Sequence, residues 1–321
     1  MDFGTQRILV TGGLGWLGRG LVHALTEGLA EVDALRRPPT DLAVCVLDAA
    51  SADAGLEGHV ELVTGDVRDA AACARFCAGA KDGILFHTAG VIHPRRVRDF
   101  YDVNVTGTRN VLAAAAAAGV RRAVVMSSNS PCGCNPHPDH RFDETSPYRP
   151  YMHYGRSKML MERLVDEIAR ASGIETVVVR APWFYGPFQP PRQTLFFRMV
   201  RDGRAPIVGD GENLRSMTYI DSLCQGLLLA ALVPAARGGV YWIADERPYT
   251  MNEIVDTVER LLEAEFGQTC THRRMRLPRL AGDVAALADR TLQAAGLYQQ
   301  KLHVLGEMNK TIACAVDRAR R

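Results

Sequence analysis

No apolar run in this 321-residue chain approaches the length of about 18 that a membrane-crossing helix requires. Residues 1–7 carry charges but no apolar stretch ahead of small residues, so neither a secretory signal nor a membrane partner is expected. An excess of one charge sign is also missing. Lys and Arg number 38 against 36 Asp and Glu, a formal net charge of +2, which leaves no footprint for nucleic acid. Cysteine is sparse: eight residues, at 45, 73, 77, 132, 134, 224, 270 and 314, without a regular framework. That excludes a disulfide scaffold and fits reduced thiols in a cytoplasmic protein. Cys132-Gly-Cys134 lacks the two-residue separation of a zinc knuckle, and no His pair accompanies it or Cys73/Cys77, so no metal is expected. Internal repeats are absent too; the alanines from Ala113 to Ala118 read as tight helix packing.

What is there is an ordinary globular mixture, 47% hydrophobic and 23% charged, in a chain long enough for one large or two intimate domains. Short apolar runs alternate with helical patterns: Arg7 to Thr11, Val44 to Leu47, Val60 to Val63, Gly83 to His87, Ala123 to Ser127 and Thr176 to Arg180. This alternation predicts an α/β fold, a Rossmann-type doubly wound parallel sheet with a small, interleaved C-terminal substrate-binding domain. Residues 1–182 would form the nucleotide-binding domain, with 215–245 returning to it; 183–214 and 246–321 would form the substrate-binding part. Between the first two runs Leu17, Leu21, Leu25, Leu29, Val32 and Leu35 recur at helical spacing, predicting one long helix stopped by Pro38-Pro39. The proline-rich, aromatic stretch 183–204 reads as substrate-facing loop. A further strand is expected over Val240 to Ile243. A helix should follow over Met251 to Phe266, with Ile254, Val258, Leu261, Leu262 and Phe266 on one face.

Thr11-Gly12-Gly13-Leu14-Gly15-Trp16-Leu17-Gly18 joins the first strand to that first helix. Glycines there allow a tight turn whose amides approach a pyrophosphate at the helix N-terminus. Asp48 would end the second strand and accept the adenosine ribose hydroxyls, which favours NAD. In the competing register Arg36 or Arg37 stands there and would welcome the 2′-phosphate of NADP. Asp66, in Gly65-Asp66-Val67, sits where a carboxylate meets an adenine amino group, or else caps a helix beginning near Arg68. Thr88-Ala89-Gly90 leaves room for a cofactor across the sheet edge.

Tyr154 and Lys158 are four residues apart, on one helix face. Lowering a tyrosine pKa from about 10 by about three units takes roughly 4 kcal/mol, which a close ammonium can supply. Alone the pair is ordinary helix surface. Ser128, 26 residues upstream at a strand end, makes it a candidate acid/base site.

These motifs, with His87-Thr88-Ala89-Gly90, Asn104-Val-Thr-Gly-Thr108, Ser127-Ser128, Asp143-Glu144, Pro147, Pro150 and Arg180-Ala-Pro182-Trp183-Phe-Tyr-Gly-Pro187, resemble the extended short-chain dehydrogenases/reductases. That superfamily holds NAD-dependent epimerases, dehydratases and 3β-hydroxysteroid dehydrogenases. The resemblance spans nearly the whole chain. It implies that Ser128 orients substrate, Tyr154 is the general acid/base, and Lys158 binds the nicotinamide ribose and tunes Tyr154. Ser127 is the rival serine, but five residues back from Gly133 is Ser128. Gly12, Gly15, Trp16, Leu17, Gly18, Asp48, Asp66, Val67, Thr88, Ala89, Gly90, Asn104 and Pro182 would hold the cofactor. A homodimer through the helices of Asn104 and Tyr154 is also implied, as is a further helix beyond Arg321, so that the chain given would be shortened there.

Departures prune the reaction. Sugar 4,6-dehydratases carry Asp-Glu where this chain has Asn129-Ser130, and decarboxylating relatives carry Glu at the second position. Epimerisation and plain alcohol/ketone chemistry survive. Gly209-Asp-Gly211 followed by Arg215 resembles the arginine segment that pairs with a sugar-nucleotide diphosphate, and Arg192 and Arg198 add cations. Trp183, with Phe184, replaces the asparagine usual in that group and would line an apolar pocket or a stacking surface. The expected function is an NAD-dependent epimerase acting on a nucleotide-linked or phosphorylated sugar through Ser128, Tyr154 and Lys158, with Asn129, Trp183, Arg192 and Arg215 toward the substrate. A hydroxysteroid-type dehydrogenase and a catalytically silent NAD(P)-binding regulator are the alternatives.

Overall fold

The computed structural model describes residues 3, 7–39, 42–49 and 60–321, so most of residues 1–7 lie outside the described part. Alternating apolar runs become strands β1 (Arg7–Thr11), β2 (Ala43–Asp48), β3 (Val60–Thr64), β4 (Ile84–His87), β5 (Arg122–Ser128) and β6 (Glu175–Ala181). They pair in parallel in the order β6-β5-β4-β1-β2-β3. Because the inner strands are covered on both faces, they are apolar for most of their length, whereas the edge strand β3 has no fully buried residue. Ile8, Val10, Val46 and Phe86 pack into one core under α1 (Trp16–Thr26) and α7 (Ile220–Leu232). Leu9, Leu47, Leu85 and Val125 pack into the other, under α2 (Ala70–Cys77), α4 (Thr108–Ala117) and α5 (Met152–Ser172). A short α3 (Val97–Tyr101) runs into a π-helical turn over Asp102–Gly107.

Chain order reverses between β1 and β4, the switch point at which such sheets bind ligands beyond their carboxyl ends. The remaining elements are β7 (Trp183–Tyr185), α6 (Pro191–Arg201), β8 (Pro206–Val208), β9 (Leu214–Arg215), β10 (Met217–Tyr219), β11 (Val240–Trp242), β12 (Tyr249–Thr250), α8 (Met251–Ala264), β13 (Met275–Leu277), α9 (Arg279–Ala294) and α10 (Gln300–Glu307). Of these, β11 joins the large sheet beside β6 and α7 packs on its face. The others form three two-stranded pairs with helices over the sheet's carboxyl end.

Several expectations are corrected. The helix predicted through Leu35 ends at Thr26. Gly28 turns left-handed (φ 85°), and the chain doubles back so that the Leu29 N–H donates to the Leu35 carbonyl at 2.7 Å. The stripe continues to bury leucines, but a 3-10 turn at Asp33–Leu35 does it. Stretch 183–204 is not mainly loop: Pro191 starts α6 rather than breaking it, since the first helical turn needs no proline N–H. The helix after Asp66 begins at Ala70, capped by Asp69, whose carboxylate accepts from the Ala71 N–H. All eight cysteines are unpaired thiols, and no helix among the described residues is long and apolar enough to cross a membrane.

Candidate active site

At the end of β1 the Gly12 N–H donates to the Leu47 carbonyl and Gly12 adopts φ 71°. A Cβ on Gly18 would stand 2.0 Å from the Gly12 carbonyl oxygen, so the turn closes this tightly only without a side chain there. Helix α1 starts at Gly15 with no side-chain cap and no acidic residue in its first turn. Its amide end is therefore left for an anion, and an NAD pyrophosphate fits. Asp48 lies over the same turn, where Oδ2 accepts from the Leu14 N–H at 3.1 Å. Arg36 follows the 3-10 turn and pairs with Asp33 at 2.5 Å, away from the end of β2.

Asp66 is gripped by Arg68 through its N–H (2.8 Å) and its guanidinium (2.5 Å), which holds the carboxyl below its usual range. Val67 is buried behind it. The Thr88 hydroxyl donates to the Thr11 carbonyl at 2.7 Å, and Ala89 N–H to Thr11 Oγ1. His87 bridges Thr11 Oγ1 (2.7 Å) and Thr108 Oγ1 (2.8 Å); burial, helped by the Lys158 charge, pushes it down to about 3. A Cβ on Gly90 would meet Asn104 Oδ1 and Lys158 Nζ at 3.2 and 3.5 Å. Asn104, in the π turn, accepts from the Val91 N–H and donates to Ser157 Oγ. Pro182 is buried between β6 and β7.

The two serines ending β5 part company. Ser127 donates to Glu162 Oε1 at 2.5 Å, and Glu162 also binds the buried Arg180 guanidinium and the Tyr148 hydroxyl. Ser128 faces the other way, accepts from the Ser130 N–H and lies beside the Tyr154 phenol, whose pKa it pulls down. What brings α5 this close is Gly155, where a Cβ would meet the Ser130 carbonyl oxygen at 2.4 Å. Lys158 is 5% exposed and donates to the Met126 carbonyl at 2.9 Å; burial lowers it to about 8, with Glu162 opposing. The lowered Tyr154 pKa expected from Lys158 is not found. Burial pushes the phenol up to about 12, Ser128 pulls it down and Glu307 adds to the rise. Desolvation outweighs the attraction that the sequence arithmetic allowed for.

Asn129 holds the following turn through its carbonyl, which accepts from the Cys132 and Gly133 N–H groups. Arg192 stands at the start of α6, where desolvation holds its guanidinium below the usual value. Trp183 packs edge-on to Phe196 at 5.4 Å, while Trp16 lies against Phe184 at 4.6 Å. The Arg215 guanidinium donates to the Glu307 carbonyl, and its Nε is buried without a hydrogen-bond partner.

Sequence reasoning missed the roof over Tyr154. Phe100 packs on Tyr154 (5.7 Å) and on Tyr298 (5.2 Å), whose hydroxyl bonds His93 at 2.8 Å. His303 contacts both Tyr298 and Tyr151 and binds Asp289 at 2.8 Å. Burial alone would lower His303, but Asp289 and Glu307 outweigh it and hold the ring above its usual value. Tyr151 Oη and Asp289 Oδ1 have no partner among the described residues. Tyr151 caps the start of α5, but Phe100 is on α3, His93 on the loop after β4, and Asp289, Tyr298 and His303 on α9, α10 and the loop between them, so no local spacing connects these to α5.

The family model described as NAD dependent epimerase/dehydratase family matches residues 8–244. The uncharacterized protein y4nL of Sinorhizobium fredii is 52% identical over 98% of this chain and 88% of its own length. The N-acetyl-alpha-D-glucosaminyl-diphospho-ditrans,octacis-undecaprenol 4-epimerase of Escherichia coli O157:H7 is 31% identical over 63% of this chain and 61% of its own. The crystal structure of DesIV, a dTDP-glucose 4,6-dehydratase from Streptomyces venezuelae with NAD and TYD bound, superposes with a TM-score of 0.66. It is 27% identical and covers 85% of this chain and 84% of its own.

Proposed function

The chain belongs to the NAD-dependent epimerase/dehydratase family, and on that premise we propose that it oxidises and re-reduces a secondary carbinol carbon of a diphosphate-linked sugar, with epimerisation as the outcome. The observation that carries this reading is that Gly155 seats α5 against the segment after β5, which sets Tyr154 beside Ser128 at the sheet's carboxyl edge, with buried Lys158 one turn further along α5. Gly12, Gly15, Trp16, Leu17 and Gly18 would hold the NAD pyrophosphate. Asp48 would take the adenosine ribose, Asp66 and Val67 the adenine, and Thr88, Ala89, Gly90, Asn104, Pro182 and Lys158 the nicotinamide side. NAD, when bound, supplies the hydride acceptor. Tyr154 Oη takes the proton from the substrate hydroxyl and returns it to the ketone, while Ser128 positions that oxygen.

Dehydration is disfavoured, because Asn129 and Ser130 offer no acid and base beside Ser128. The unpartnered Nε supports Arg215 as a diphosphate donor, and Arg192, Trp183 and Asn129 complete the substrate side. Residues 183–214 and 246–321 would form the substrate-binding part. Half-exposed Met159 and Leu160 on α5 support a homodimer, and the free thiols support a cytoplasmic setting.

Tyr154→Phe should cut turnover at least about a hundredfold while NAD binding by equilibrium dialysis stays unchanged. Undiminished turnover overturns the mechanism. Net accumulation of reduced nicotinamide during turnover would make the protein a dehydrogenase instead of an epimerase.

A further inference from the structure

A cavity of about 770 Å³ runs between α6, α8 and β7, within the range of about 300–1,000 Å³ usual for ligand sites. Its wall is mostly carbon, with Trp16, Trp183, Phe184, Phe196, Phe197 and Leu262 the large contributors. We propose that it holds an apolar chain borne by the substrate beyond its diphosphate, so that the substrate is a lipid-linked sugar diphosphate of isoprenoid type rather than a nucleotide sugar. This deepens the reading above and rests on it.

Three observations carry it. The apolar stripe of α8 does not end in core: Ile254 is buried, but Leu261 is 38% and Phe266 69% exposed, and all three border the cavity. From Ile254 to Leu262 the helical rise spans about 12 Å, and Phe266 beyond the helix end extends the wall further, a length that suits a chain better than a ring. Several polar groups of the wall are paired, with one another or with a group outside it. Gln189 donates to Thr194 Oγ1, Gln268 accepts from Arg201, and the Tyr185 hydroxyl donates to Asp245. A nucleobase buried here would leave its amide edge against carbon, which costs free energy, whereas a hydrocarbon gains from it. Finally, one end of the cavity is built from the cofactor side. Trp16 opens α1 at the glycine turn, is fixed by donating from Nε1 to the Pro187 carbonyl at 2.7 Å, and lies on Phe184 immediately after Trp183.

Two of the three tryptophans line this cavity and the third, Trp242, is fully buried elsewhere, so intrinsic fluorescence reports on it. Titration with farnesyl diphosphate should give a saturable change at least tenfold tighter than with UDP or inorganic pyrophosphate. Phe197→Glu and Leu262→Glu should each weaken farnesyl diphosphate binding at least tenfold with NAD binding unchanged; Leu261→Glu, at a more exposed position, replaces either variant that fails to fold. The proposal is overturned if NAD-competent protein shows no saturable farnesyl diphosphate signal, if UDP binds as tightly, or if the groove variants bind like the parent. Retained turnover in Tyr154→Phe would sink the catalytic reading and leave this binding result standing.

Discussion

Lys158 illustrates how a reactive residue weighs against the fold. Its folded value near 8 lies about 2.5 units below the usual 10.5, so below pH 8 burying the charged ammonium costs about 3 kcal/mol. Between pH 8 and 10.5 the unfolded chain holds more protons than the native one, and stability rises with pH through that window. Lys158→Met should therefore raise the melting temperature at pH 7 while abolishing turnover, and its advantage should shrink by pH 10. Thermal denaturation at the two pH values measures this; a variant less stable at pH 7 contradicts it. Tyr154, its pKa raised by burial, can act as a base only where a nearby positive charge, such as that of a bound nicotinamide ring, offsets the desolvation. Its spacing from Lys158 was legible in the sequence, but its acidity depended on burial, which spacing does not report.

At the scale of elements, helix α5 is the part that must be placed most accurately. Gly155 lets it approach the segment after β5, because a side chain would collide with the backbone oxygen of Ser130, which cannot rotate away. Gly155→Ala should cost about 1–3 kcal/mol in stability through overpacking. It should also lower kcat about tenfold or more, since about 1.4 kcal/mol of lost positioning suffices for that. Steady-state kinetics beside a urea titration would separate the two effects; an unaltered kcat would mean that the Tyr154–Ser128 spacing is not critical. The helix starts at α1 and α8 were readable because glycine turn and Thr250–Glu253 capping box are local devices. The end of α1 was not, because a helical spacing of leucines buries equally well when Gly28 folds the chain back. Proline misled in the same way at α6, where Pro191 marks a start.

Over the whole molecule, residues 311–315 run between the loop after β5 and β9 and tie the two together. The Phe142 N–H donates to the Ala313 carbonyl and the Ser216 N–H to the Ile312 carbonyl. Asn135 clamps the same segment, donating to the Ala313 and His140 carbonyls at 2.9 and 2.8 Å and accepting from the Ala313 N–H at 2.8 Å. Asn135→Ala should cost about 2–3 kcal/mol at roughly one per lost bond and speed proteolysis near residue 311. Cleavage rates equal to the parent's would show the clamp to be dispensable. By itself the sequence determined the strand series, the glycine turn with Asp48 beyond it, and Ser128, Tyr154 and Lys158 as a set, because each depends on period or on spacing within one or two elements. Only the tertiary structure decided which groups roof Tyr154, how burial sets its proton affinity, and that the aromatics of α6 and the stripe of α8 enclose a cavity instead of a core. Those outcomes depend on segments far apart in the chain meeting in a low-dielectric interior, and no local pattern encodes that meeting.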